Sequence, residues 1–178
     1  MHFFHNKSGF TIIEILVVLG LIGIVFLIGV LSFTDIRARI NLNAASNELV
    51  ADFQSIKFKS MTKEIEIEGV KTSKFGILTK NSEPDRYYFF AFKDKNNNEI
   101  LEDDEITYIN PGLKKVTSYF KKLPSNITFS PSKDFLVYFD RRGIPRKKTG
   151  EFSENILELA SKKDKRQVTV SLKIFVKK

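Results

Sequence analysis

From Phe10 to Phe33 the chain is almost wholly apolar, and this run limits every fold the remainder can join. About 20 residues at ~1.5 Å each cross a hydrocarbon core of about 30 Å, so the run is long enough for a membrane-spanning helix. Between Ile15 and Phe33 there is no charged residue and no Pro, Asn or Gln. A cleavable secretory signal usually has a shorter apolar part followed by a small-residue cut site. Here the run passes straight into an amphipathic pattern, which reads as a retained anchor. Glu14 is out of place in it. A carboxylate near hydrocarbon costs a few kcal/mol and normally has a partner or a function. One reading puts Glu14 at headgroup level, in the first turn of a helix whose dipole favours it. The other gives it a partner outside its own helix.

Downstream of the run, Ile36, Ile40, Leu49, Phe53 and Ile56 recur at helical spacing, with Arg37, Arg39, Asn43, Asn47, Glu48 and Asp52 largely between them. No Pro occurs before Pro84, so nothing forces a break until the pattern fades near Met61 to Lys63. Gly20, Gly23 and Gly29 would let neighbouring helices approach, although ordinary packing explains them equally well. From Glu64 the period changes to the alternation of a half-buried strand, Glu64 to Glu68, closed by Gly69. Further strands are expected at Lys74–Thr79, Arg86–Lys93, Glu105–Ile109, Asn126–Phe129, Phe135–Phe139, Asn155–Leu159 and Gln167–Val176, punctuated by Asn, Pro and Gly turns. One long helix followed by short strands reads as an α+β chain. Its economical form packs the second half of the helix on an antiparallel sheet. The expected division is 1–9 polar leader, 10–33 transmembrane half of the helix, 34–63 amphipathic half and 64–178 β-rich domain.

Gly9-Phe10-Thr11-Ile12-Ile13-Glu14, placed after a short polar leader and before the unbroken apolar run, resembles the type IV prepilin signal. The resemblance implies that a prepilin peptidase/N-methyltransferase cuts between Gly9 and Phe10 and methylates the new amine of Phe10. It also implies a role for Glu14: its carboxylate would pair with the Phe10 amine of a neighbouring pilin or pseudopilin subunit at an inner-membrane assembly platform. Such a pair satisfies a charge that burial penalises, and it sets axial register. The chain would then be a single-pass inner-membrane protein with its C-terminal domain in the periplasm until it enters a pilus or pseudopilus. Charge bias does not orient it, because Lys7 and the amino terminus face Arg37 and Arg39 across the run. With the leader removed the chain has no His, since His2 and His5 are its only two, and it has no Cys anywhere. This excludes disulfides, thiolate chemistry, His-dependent triads and the commonest zinc sites.

The segment Asp94 to Glu105 carries oxygen side chains at loop positions 1, 3, 5, 9 and 12, namely Asp94, Asn96, Asn98, Glu102 and Glu105, and Ile100 can offer a carbonyl at position 7. That spacing matches a calcium loop, where hard oxygens wrap one Ca2+. Glu99 stands where the sharp turn prefers Gly. The alternative is a solvated acidic turn between strands. Phe92-x-Asp94-x-Asn96-x-Asn98 with the acidic turn ending in Glu105, the Phe139-x-x-x-Gly143 turn and a basic final strand are together similar to H-type (GspH) minor pseudopilins and FimT-like minor pilins. Where many relatives have Gly-Arg before the last strand segment, this chain has Leu172-Lys173.

The formal net charge is +8, which fits solubility, an acidic partner, a membrane surface or nucleic acid. The basic residues gather at 141–148 and at 162–178. Within the second group Lys173, Lys177 and Lys178 are the candidates for contacting DNA phosphates, against the plainer reading of a solvated face. Three function classes follow: a minor filament subunit acting in an initiation or tip complex, a binding subunit of such a filament that takes DNA for transformation or a secreted substrate, and a membrane-held enzyme. Glu102 to Glu105 could hold an acid and a base, but no opposing constellation accompanies them, so no enzyme is expected.

Overall fold

The computed structural model describes residues 11–96, 98–130, 134–152, 154–161, 164–171 and 173–177, with the side chains of all of these but 30–35 and 155. A single long helix comes first, α1 (Ile12–Thr62), as the lack of Pro allows. The chain divides into two compact units, Met1–Ala38 and Arg39–Lys178. In the first, Ile12–Gly29 is long and apolar enough to cross a membrane, and none of it is buried within the protein.

In the second unit α1 presents Leu42, Ala45, Leu49, Phe53 and Ile56 along one buried face. Their spacing of three or four residues is that of a stripe on a helix. Ser46 and Ser60 lie buried beside them without an unmet donor, because their hydroxyls donate to Leu42 O (2.8 Å) and Ile56 O (3.0 Å) one turn back. The strands that follow are β1 (Ile65–Ile67), β2 (Val70–Thr72), β3 (Phe75–Lys80), β4 (Glu83–Phe92), β5 (Ile106–Tyr108), β6 (Phe120–Lys122), β7 (Thr128–Phe129), β8 (Phe135–Phe139), β9 (Pro145–Arg146), β10 (Asn155–Ala160), β11 (Lys165–Val170) and β12 (Ile174–Lys177). The main sheet runs β5-β4-β3-β8-β9, with β6 also paired to β4. A second runs β12-β11-β10-β7, and β1-β2 is a separate hairpin. The pairings are antiparallel throughout. The fold is α+β.

Side chains alternate across a strand, and the main sheet uses both faces. Phe75 and Ile77 of β3, Tyr87, Phe89 and Ala91 of β4, and Val137 and Phe139 of β8 pack in one cluster with the α1 stripe. Leu78, Tyr88, Phe90, Phe92 and Tyr138 form a cluster of their own with Leu101 from the long β4–β5 connection. Phe53 of α1 meets Phe135 and Phe139 edge-on, with centroids 6.4 and 6.5 Å away. Leu157, Leu159, Val168, Val170 and Phe129 of the second sheet join the helix-facing cluster. Each large apolar side chain so buried contributes about 1.5–3 kcal/mol relative to exposure. At Gly76 a Cβ would lie 2.3 Å from Val137 O and 2.6 Å from the Phe90 ring, so this strand position admits only glycine.

The strands differ from expectation in three respects. The stretch expected as one strand, Gln167–Val176, is a hairpin. β11 and β12 pair Val170 with Ile174 across the turn, where Ser171 Oγ donates to Lys173 O (2.8 Å). The strand ended by Gly69 is also half of a hairpin: Glu68 (φ 52°) and Gly69 (φ 81°) both take the left-handed backbone of a tight two-residue turn and bring in β2. In addition, β6 and β9 extend the main sheet where no strand was expected. β9 tolerates Pro145 because it is an edge strand.

Candidate functional site

At the start of α1, Thr11 accepts from Glu14 N through both its carbonyl (3.1 Å) and its Oγ1 (3.3 Å), and from Ile15 N through its carbonyl (3.2 Å). Thr11 is therefore the N-cap, with Glu14 at the third helical position, where a carboxylate also favours the dipole. The signature Thr-x-x-Glu before an apolar run is the local sequence signal for this start. The cap engages the backbone of Glu14 and not its carboxylate, which among the described residues makes no hydrogen bond or ion pair. Gly9 and Phe10 lie outside the described residues.

Around Glu14, Ile12, Ile13, Ile15 and Leu16 are exposed, and the exposure continues through Ile28. So long an apolar surface is stable only against lipid or other apolar helices. Within it an unpaired carboxylate needs a cation, because the same surroundings that suit the isoleucines penalise the charge. The arrangement is a helix of membrane-crossing length with a single carboxylate near its start.

The Asp94–Glu105 loop connects β4 to β5. Asp94 Oδ2 accepts from Lys74 Nζ (2.8 Å) and from Glu99 N (3.3 Å). Asn96 Oδ1 accepts from Asn98 N (3.2 Å), and Asn98 Oδ1 from Ile100 N (2.8 Å). Glu102 Oε1 receives the side-chain amides of Asn96 (3.3 Å) and Asn98 (3.5 Å). Glu105 is buried, its two oxygens accepting from Lys95 N (2.8 Å) and Glu102 N (3.1 Å). Glu99, at the position where Gly was wanted, takes φ 59° and so makes the left-handed turn at a steric cost. Leu101 anchors the loop, with its side chain buried and its N–H donating to Lys148 O (2.8 Å). Among the described residues no three acidic, His or Cys side chains form a metal-binding group.

Much of the first basic cluster is paired. Arg146 donates to Asp140 Oδ2 (3.2 Å) and Gly150 O (3.0 Å), and Lys148 to Asp103 (2.6 Å). In the second group, Lys165 pairs with Glu158 (2.8 Å) and Arg166 donates to Asn43 (3.1 Å). Lys173, just before β12, and Phe175 and Lys177 on it are exposed, while Ile174 and Val176 turn toward the core. Lys178, like Lys162 and Lys163, lies outside the described residues.

No curated protein and no solved structure matches this chain. Residues 4–30 match the family model for the prokaryotic N-terminal methylation motif. The match spans the Gly9-Phe10 junction, Thr11, Glu14 and most of the exposed apolar helix. The chain thus carries a prepilin-type signal on a helix of membrane length, as expected of a pilin-like protein held in a membrane.

Proposed function

We propose that the chain is a minor pilin or pseudopilin of the GspH/FimT-like kind, assembled into a type II secretion pseudopilus or a type IV pilus and acting in its initiation or tip complex. Prepilin peptidase cuts between Gly9 and Phe10, the Phe10 amine is methylated, and the globular part stands in the periplasm. The supporting observation is the methylation-motif match over residues 4–30, coinciding with an exposed apolar helix whose one carboxylate has no partner among the described residues. Cleavage creates the missing cation, an amine at Phe10, and the Glu14 carboxylate of one subunit takes that amine from the next. The reading is tested by Glu14→Val expressed in the native host. Mass spectrometry should find the variant still shortened to Phe10, while its share in sheared filaments falls at least tenfold. Incorporation at the wild-type level would remove the joint assigned to Glu14.

A second reading, a DNA-binding subunit for transformation, draws on β12 and the turn before it, where Lys177 and Lys173 flank the exposed Phe175. Cations beside an aromatic ring suit a phosphate backbone and a stacked base. Filter binding of DNA to the detergent-solubilised chain should then weaken steeply with salt and be lost on neutralising Lys173, Lys177 and Lys178. Binding that ignores those changes would leave the filament role alone.

A further inference from the structure

We propose that the Asp94–Glu105 loop binds one Ca2+. The filament reading plays no part in this. The Asp94 side chain is only 10% exposed, and its Oδ1 is buried with no hydrogen-bond partner. Buried carboxylate oxygens are almost always satisfied, because an unmet one forfeits its water without replacement. The same carboxylate is tied into the loop by Glu99 N on Oδ2, so the orphan oxygen belongs to the group at loop position 1. A hard anionic oxygen in that place calls for a hard cation.

The remaining donors follow the order such an ion requires. Glu102 Oε1 gathers the side chains of Asn96 and Asn98, bringing loop positions 3, 5 and 9 together. Rotation of the two amides would exchange their N–H groups for oxygens as the ion arrives at Glu102. Ile100 contributes a carbonyl at position 7, and Glu105, at position 12, already has its carboxylate fixed by two backbone amides. Carboxylates alone do not converge into a cluster here, so the set is mixed: carboxylate, amide and carbonyl. Ca2+ accepts six to eight such oxygens in irregular geometry, whereas Mg2+ demands a near-ideal octahedron and gives up its water reluctantly. The ammonium of Lys74, 2.8 Å from Asp94 Oδ2, competes with the ion. Affinity therefore belongs in the weak range on the order of 10⁻⁴–10⁻³ M, typical of extracellular calcium modules.

The test uses the full-length chain in detergent, stripped of metal with a chelator and then dialysed against 45Ca2+, with thermal melting in parallel. One calcium per chain should be retained at millimolar calcium, with a raised melting temperature that the same concentration of Mg2+ does not reproduce. Glu102→Gln, at an exposed side chain, should weaken binding at least tenfold and leave the metal-free melting temperature unchanged. Glu99→Gly, which relieves the left-handed turn, should tighten binding severalfold. No retained calcium in the wild type, or equal binding by the wild type and Glu102→Gln, overturns the proposal.

Discussion

Glu68 holds two lysines of very different exposure. Lys115, more than half exposed, lies 2.5 Å from Oε1, while Lys93, almost wholly buried, pairs with Oε2. The hydrogen bond from Lys115, and after it the one from Lys93, draws the Glu68 pKa down from 4.5 to about 2. A carboxyl group whose pKa is lower in the folded state stabilises the fold above its unfolded pKa, and that contribution fades as pH falls through the folded one. Stability should therefore decline between about pH 4.5 and about pH 2 partly through this residue. Thermal melts of the wild type and Glu68→Gln across that window should converge toward the acid end, because protonation does to the wild type what the substitution has already done. A constant gap between the two curves would mean that Glu68 carries no linked proton. None of this was legible in the sequence, where Glu68 looked like the polar end of an alternating strand. Its partners stand 25 and 47 residues away, and only the fold brings them together. The anomaly of Glu14 is visible for the opposite reason, since it lies in the immediate neighbours of that residue, and so does the signal for the cap on Thr11.

At the scale of elements, legibility follows how strongly each segment marks its own ends. α1 could be drawn closely, because the missing Pro and the shift from helical to alternating period bound it on both sides. β3, β4, β8 and β10 were visible as apolar or alternating runs closed by turn residues. The β11–β12 turn was not, because Val-Thr-Val-Ser-Leu-Lys-Ile-Phe-Val continues its alternation through residues 171–173 and contains no Gly, Pro, Asn or Asp to mark the reversal. β6 and β9 were missed because strands of two or three residues have too few positions to show a period. They exist because β4 and β8 offer them open edges. The acidic loop was the reverse case, since ligand spacing at fixed offsets is a local property. Its spacing is readable without its fold, while the orphan oxygen on Asp94 depends on burial that only the folded chain provides.

On the scale of the whole molecule, the residues of Met1–Ala38 and those of Arg39–Lys178 are held by different physics. In the second unit α1, the main sheet and the second sheet share one apolar cluster, so loosening any of the three removes the burial that holds the other two. It should unfold as one cooperative step. The apolar helix Ile12–Gly29 contributes nothing to that cluster, and its stability comes from its solvent. In a micelle its backbone amides have no water to turn to, so they keep their helical hydrogen bonds while urea acts on the rest. The two can be followed separately, because the chain has no Trp and all of its 5 tyrosines, Tyr87, Tyr88, Tyr108, Tyr119 and Tyr138, fall in the second unit. Tyrosine fluorescence of the full-length chain in detergent should therefore collapse in a single urea transition, while far-UV circular dichroism falls only in part at the same midpoint and then holds a helical plateau. Loss of all helical signal with the tyrosine transition would mean that the apolar segment depends on the folded domain, against its reading as an independent anchor.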